Sequence, residues 1–394
     1  MKTLPWRTSL LTLAQTLNIT TAVISVTVSA VAGSSLAPDP SLGTVPYGAQ
    51  FAAVLLCTYP ASMLMQKLGR RIAFLLGGVC LTGGGLLGYF ALARGDFALL
   101  VAAHAVLGMY IAFANFYRFA AVDGLDPAQK PRALSIVVAG GVLAAVAGPA
   151  LASALRTVPG FADFSLCYLA CSLLGVCTIA MMLVFGEQRP PAAQVSAAPA
   201  GRAPLHITPG IATAIFAAAG GYLVMNLLMV QASLVLKDIC SFGASARAIQ
   251  AHVLAMFLPS FFTGSLIARF GVRLVLCCGF LLLLAGAACG MGALSYEMAV
   301  AELVLVGLGW NLTYVGGGAL LTQAVQEDQR HRWQGINETL IAACATAGAF
   351  LPAPMLAAIG WQASNGAVVV LSAAGMALAA WTLRQRTLLT QAGR

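Results

Sequence analysis

The sequence predicts an all-α integral membrane protein, twelve transmembrane helices in two six-helix bundles. Three observations carry that expectation. The composition is too apolar for a water-soluble domain, apolar stretches of bilayer length recur twelve times, and one basic turn pattern occurs in each half. Hydrophobic residues make up 60% of the 394 positions and charged residues 8%, against about 25% charged in soluble domains. Mean hydropathy is +0.89. Lys and Arg number 21 against 12 Asp and Glu, but these charges gather at the ends of apolar stretches. Their position argues for membrane orientation and against a nucleic-acid partner. The ten cysteines lie almost all inside apolar stretches, Cys167, Cys171 and Cys177 among them, where they read as small buried thiols rather than a disulfide framework.

Met1 to Pro5 precede an apolar stretch with no small-residue cleavage site, so this stretch is expected to be retained as the first span. Taken in order, the apolar stretches cover roughly 11 to 34, 45 to 66, 71 to 93, 97 to 121, 132 to 156 and 163 to 186. A second set covers roughly 207 to 236, 247 to 268, 272 to 293, 298 to 320, 334 to 358 and 363 to 383. Each is near the length of about 20 residues that crosses a bilayer. Residues 187–206, rich in Pro, Ala and Ser, have the content of a linker that does not pack. The expected organisation is therefore an N-terminal six-helix bundle over 1–186, a cytoplasmic linker over 187–206, and a C-terminal six-helix bundle with its tail over 207–394.

An even number of spans places both termini on one side. Seventeen of the 21 basic residues lie at the N-terminus, the even-to-odd turns, the linker and the C-terminus, while the opposite turns hold only Arg94, Arg156, Lys237 and Arg247. By the positive-inside rule both termini are expected in the cytoplasm.

The two halves echo each other. Ser62-Met63-Leu64-Met65-Gln66-Lys67-Leu68-Gly69-Arg70-Arg71 follows the second span, and Gly264-Ser265-Leu266-Ile267-Ala268-Arg269-Phe270-Gly271-Val272-Arg273 follows the eighth. In both, a small residue lets helices approach, a Gly closes a tight turn and basic residues meet the membrane surface. Asn115 in span four is echoed by Asn311 in span ten. Halves in parallel repeat suit a porter whose bundles rock about a central site. The plan and the turn pattern resemble the major facilitator superfamily, whose signature there is a small residue, Asp-Arg, any residue, then Gly-Arg-Arg. Gln66 and Lys67 replace the acid and first Arg in one copy. Ala268 replaces the acid in the other, where Arg269, Gly271 and Arg273 keep the pattern. Loss of the acid removes the basis for the gating ion pair attributed to it. A second gate pair is read from Arg118 and Asp123 near the end of span four, although neighbouring opposite charges often only anchor a loop.

Met225 and Met229 in span seven, and His252 and Met256 in span eight, are two pairs spaced four apart, so each pair shares a helix face. Equal distances from the intervening turn bring the pairs level. Three thioethers and an imidazole with no carboxylate suit Cu(I). Packing is the competing reading for the methionines, which fill irregular gaps, and Met63 and Met65, two apart, are read as gap fillers. An ionisable His252 within a span has the stronger functional case.

These motifs resemble the paired motifs of the CcoA-like copper transporters. That resemblance implies import of copper, as ion or small complex, across the bacterial inner membrane. It further implies support of cbb-type oxidase assembly, Met225, Met229, His252 and Met256 as the binding set, and a cytoplasmic copper chaperone as partner. Copper would be cargo, with no resident cofactor, and a monomer in the lipid bilayer is expected. Cys57, Cys240, Cys289 and Cys344 match no motif and receive no role.

Other polar residues inside spans are candidates for separate tasks. Glu302 and Glu338, the latter beside Asn337, are candidates to carry a coupling proton. Asn18, Asn115, Tyr117, Asn226, Gln231 and Asn311 are candidates to line a polar cavity, against interhelical hydrogen bonding. His104, His206 and His331 have no partner by spacing. Two alternatives to copper import stay open: a porter or exporter of a small organic solute, and a copper-binding membrane sensor. No Ser-His-Asp set, nucleotide loop or catalytic metal motif is visible, which argues against an enzyme and for gradient-driven transport.

Overall fold

The computed structural model describes residues 4–39, 42–186, 205–292 and 295–392. The expected linker falls almost wholly outside the described residues. Among those residues the chain is helical, joined by short turns and without a strand. Among the described residues, eleven helical runs are long and apolar enough to cross a membrane: Trp6–Ser29, Val45–Leu68, Arg70–Arg94, Phe97–Ala120, Lys130–Leu155, Ser165–Val184, Pro209–Leu236, Arg247–Phe270, Val272–Gly290, Tyr296–Ala324 and Pro354–Trp381. A further helix, Arg330–Phe350, has the length but opens on Arg330, His331, Arg332 and Gln334 and also carries Asn337 and Glu338. It is the eleventh span in chain order. The eleventh span ends at Phe350 rather than near the expected 358, and helical backbone from Pro352 to Ala392 is broken at Gly360 (φ 75°, ψ 178°). The all-α, twelve-span architecture expected from the sequence is the one observed.

The repeated turns have matching backbones. Gly69 ends span two at φ 84° and ψ 164°, and Gly271 ends span eight at φ 83° and ψ 149°. Both lie where a Cβ is strained and glycine is not. The repeat seen in sequence is therefore a repeat of conformation.

By internal contacts the chain divides into two compact units. One comprises Met1–Gly124, Gly140–Gly201 and Gln334–Thr339; the other comprises Leu125–Ala139, Arg202–Trp333 and Leu340–Arg394. In the first unit span three packs between spans four and six. Gly85 has no room for a side chain: an added Cβ would overlap the backbone of Ser172 on span six. Close backbone approach through small residues is the usual way helices associate where lipid removes the hydrophobic driving force. Inside this unit His104 is fully buried, with Nδ1 2.9 Å from the Gln50 Oε1 and Nε2 2.7 Å from the Tyr168 hydroxyl, while Ser25 donates to the same Gln50 oxygen at 2.6 Å. The histidine that spacing left without a partner thus has both ring nitrogens engaged.

In the second unit span ten is the central helix, packed by spans seven, eight and nine. Span eight is broken where Phe242–Phe257 gives way to Pro259 and then Ser260–Phe270. Proline cannot donate to the ladder, and Asn311 on span ten covers the break. Its Nδ2 donates to the Met256 carbonyl at 2.6 Å and to the Ser260 hydroxyl, and its Oδ1 accepts from Thr263 at 2.7 Å.

Candidate substrate-binding site

Four aromatic side chains gather in the second unit. Trp310 and Tyr314 stand four apart on span ten, so they share a face, and their rings stack with centroids 4.7 Å apart at 13°. Tyr222 of span seven meets both edge-on, at 5.7 Å from Trp310 and 6.1 Å from Tyr314. Phe257 of span eight closes on Trp310 at 5.7 Å and 81°. Edge-to-face and offset pairs of this kind are the favoured aromatic geometries.

Local sequence positions Tyr222. Span seven begins as an α-helix over Pro209–Ile215, widens into a π turn over Phe216–Gly220, and resumes at Gly221. A π turn carries an extra residue and so re-aims the side chains C-terminal to it. Gly221 then lets span seven press on Thr313, which a Cβ would strike, and Tyr222 is delivered edge-on to the stacked Trp310 and Tyr314. Ala218 and Ala219 of the π turn pack with Ile341, and Tyr222 and Tyr314 rest half-buried against that cluster. Trp310 is 2% exposed and its indole Nε1 has no hydrogen-bond partner among the described residues.

The methionine and histidine pairs lie in the same unit. Cys240 and Ser241, at the turn between spans seven and eight, lie midway in sequence between Met229 and His252. His252 is fully buried and turned toward span ten: its Nδ1 is 2.6 Å from the Leu303 carbonyl, and Gly307 lets the two backbones close on each other. Its Nε2 has no partner among the described residues. Met229 packs against the cluster of Ala232, Leu236, Ala248, Ala299 and Leu303. Met225 and Met256 are buried. Among the described residues no three His, Cys, Asp or Glu side chains gather to hold a metal.

The remaining candidates separate by what they touch. Glu302 and Gln231 are fully buried, and among the described residues neither the two carboxyl oxygens nor the amide atoms have a partner. Glu338 pairs with Arg118 at 2.5 Å and accepts from Asn337 at 2.8 Å. Asn226 ties span seven to span eleven by donating to the Ala345 carbonyl at 2.6 Å. Asn311 covers the break in span eight, so both act as interhelical links. Asn18 reaches only Gln15 with its amide, at 3.4 Å. Asn115 is half-buried at the point where span four is interrupted. The Tyr117 ring stands against Phe74 at 4.7 Å.

At the basic turns, Arg70 is buried and bonds Asp123 at 2.6 Å and Gln334 at 3.0 Å. An ion pair forms at this turn, then, with its acid supplied by the end of span four rather than by the signature position that Gln66 occupies. Lys67 and Arg269 are exposed, the latter over the Phe270 ring at 5.2 Å. Arg71 donates to the Leu183 carbonyl at 2.6 Å. Arg273 lines a surface groove with Pro127, Pro131 and Gln323.

Sequence reasoning missed the aromatic group. The four-residue spacing that singled out Met225 and Met229 also relates Trp310 to Tyr314, and Tyr222 lies one turn before Met225; that signal was present. The π turn that aims Tyr222 has no sequence signature.

A bundle of twelve spans, with matched turns in its two halves and buried polar and aromatic side chains in its spans, defines a membrane transporter rather than an enzyme. The chain belongs to the Major Facilitator Superfamily, which it matches over residues 9–237, and it carries a small solute by secondary active transport. The riboflavin transporter RfnT of Brucella anthropi is 29% identical, the match covering 90% of each chain. The uncharacterized MFS-type transporter YddS of Bacillus subtilis is 27% identical over 91% of this chain and 87% of its own. Among solved structures, the human organic anion transporter MFSD10 superposes with a TM-score of 0.76 at 14% identity, covering 94% of this chain and 98% of its own. The transporter FucP in the outward conformation gives 0.72 at 12%, covering 95% and 98%. At such identities these structures speak for the fold alone.

Proposed function

We propose that the protein carries a small organic solute of the riboflavin kind across the bacterial inner membrane, with both termini in the cytoplasm. The observation that carries this reading is the end-to-end similarity to RfnT, 29% over 90% of both chains. The half-buried tyrosines Tyr222 and Tyr314 beside Trp310 supply surfaces suited to an uncharged organic cargo. The halves 1–186 and 207–394 rock about the site in this reading. Arg118 with Glu338 and Arg70 with Asp123 hold the gate, and Glu302 takes the coupling proton.

Copper remains the second reading because one observation favours it. The buried His252 Nε2 lacks a partner while Nδ1 is fixed on a carbonyl, and such a second bond commonly orients a metal-binding imidazole. In that reading Met225, Met229 and Met256 complete the set, and the cytoplasmic chaperone and oxidase assembly follow from copper alone.

Uptake of labelled riboflavin by proteoliposomes of the purified protein tests the first reading. Accumulation above protein-free vesicles, abolished by excess unlabelled riboflavin, is expected. No uptake under any imposed gradient, with counterflow also absent, contradicts it.

A further inference from the structure

We infer that the groove beside the turn joining spans eight and nine binds the headgroup of an anionic phospholipid, with the phosphate held by Arg273 and Arg269. None of the side chains offered above for the cargo lines this groove, so the site goes beyond the transport reading and does not depend on it.

The groove belongs wholly to the second unit and has a volume of about 360 Å³, within the range of ligand pockets. Pro127 and Pro131 around the start of span five, Ala268 and Phe270 at the end of span eight, and Gln323 at the end of span ten line it together with Arg273, the second residue of span nine. All are segment ends. The groove therefore opens at the membrane surface that carries the basic turns, where lipid headgroups are its neighbours.

Charge complementarity selects the occupant. Among the described residues the lining holds one cation, Arg273, and no acid. The Arg269 guanidinium lies 5.2 Å over the ring of Phe270, itself a lining residue, so a second cation stands at the edge. Lys130 and Arg132 flank Pro131 in the chain, and Asp126, just before Pro127, is the acid set against these four cations. The turn pattern accounts for the imbalance. Ala268 occupies the position where that pattern has an acid, and Ala268 lines the groove. In the first copy Arg70 draws an acid, Asp123, from the end of span four, whereas the end of span ten brings the uncharged Gln323. A phosphodiester takes the place of the missing carboxylate, since guanidinium forks match phosphate oxygens in pairs.

Segments of this chain fit the groove less well. Residues 187–206 carry Glu187 against Arg189 and Arg202, and the tail carries Arg384, Arg386 and Arg394 with no acid, so both are net basic. Phe270 and Leu274 line the groove and are also exposed, which gives acyl chains an apolar strip leading from it. Basic pockets between spans at such a surface suit anionic headgroups.

Native mass spectrometry of the delipidated full chain, with thermal unfolding in detergent alongside, tests the site with three probes: phosphatidylglycerol, phosphatidylcholine of the same acyl chains, and inorganic phosphate. Phosphatidylglycerol is expected to bind at concentrations about tenfold lower than phosphatidylcholine, to raise the unfolding temperature, and to lose its advantage as salt rises. Inorganic phosphate is expected to leave the unfolding temperature unchanged. The double variant Arg269→Gln with Arg273→Gln is expected to bind both lipids alike. Ala268→Asp restores the acid with both arginines in place, is expected to remove the preference as well, and serves where the double variant does not fold. Equal binding of the two lipids by the wild type overturns the site, as does a preference that survives in folded Ala268→Asp. Inorganic phosphate that stabilises as much as phosphatidylglycerol makes this a free-anion site and overturns the lipid. A preference that appears only in Glu187→Gln seats the linker in the groove and overturns the lipid as its occupant.

Discussion

Arg118 and Glu338, 220 positions apart in the sequence, form an ion pair at 2.5 Å with 3% and 0% of their side chains exposed. The pair joins the interrupted end of span four to the polar first half of span eleven, within one compact unit. Two charges taken this far from water are tolerable together and costly apart. Removing one partner is expected to destabilise by about 3–5 kcal/mol, whereas replacing both by neutral residues of similar size is expected to cost little. Thermal unfolding in detergent should therefore order the variants: Glu338→Ala lowest, Arg118→Gln next, and the double variant Arg118→Gln with Glu338→Gln closest to the wild type. A double variant no better than the worse single one would contradict the pairing.

Asn311 is an interhelical link in this structure. Its three hydrogen bonds cover the break at Pro259, and interhelical bonds in membranes contribute about 0.6 kcal/mol on average and up to about 1.7 each. Asn311→Ala is expected to lower stability by about 1–2 kcal/mol and to weaken binding of every cargo alike through loosening of span eight. Unfolding midpoints paired with a binding curve check this. Full stability with selective loss of one ligand would instead make Asn311 a cargo contact.

Gly271 at one of the repeated turns and Gly85 inside span three offer a comparison of pure strain with steric overlap. An added Cβ at Gly271 meets open space, so Gly271→Ala costs only the strain of φ 83°, about 1–2 kcal/mol. At Gly85 the backbone conformation is ordinary, but the Cβ overlaps span six. Gly85→Ala is expected to be the more damaging of the two, and comparison of folded yield and unfolding temperature decides it.

Glu302 is buried with no partner for either carboxyl oxygen. The titratable group facing span ten from span eight is His252, held on the Leu303 carbonyl, and Cys289 lies on span nine. If Glu302 takes the coupling proton, inward movement is favoured as the outside pH falls. Wild-type uptake then rises toward acid pH, and Glu302→Gln, which cannot exchange a proton, loses that slope while keeping cargo counterflow. A slope unchanged in Glu302→Gln would assign the proton elsewhere.

Much of the architecture was legible because membrane folding writes itself into local sequence. The apolar stretches locate most spans to within a few residues, though the eleventh ends at Phe350 rather than near 358 and the last helix starts at Pro352 rather than near 363; the Gly69 and Gly271 turns were readable because only glycine is at ease with their backbone. Pairings over long sequence distance were not. Nothing local to Arg118 points to Glu338, and nothing near His104 points to Gln50 and Tyr168. Within the site the spacing rule has an ambiguous yield. It set Met229 and His252 equally far from their turn, yet it is silent on which way a ring turns, and the His252 ring faces span ten. The same rule applied to Trp310 and Tyr314 gives the aromatic stack, hidden because aromatic pairs inside apolar helices are usually core. The methionine and histidine pairs resemble those of copper transporters and so point to a metal, while the whole-chain similarity points toward an organic solute.

The most direct measurement tracks riboflavin and copper at once, each labelled, in proteoliposomes of the wild type and of Met225→Ala, His252→Ala and Tyr314→Leu. The account predicts riboflavin uptake by the wild type, its loss in Tyr314→Leu, and copper at the level of protein-free vesicles throughout. Copper accumulation that His252→Ala and Met225→Ala abolish, with no riboflavin entering any vesicle, would contradict it.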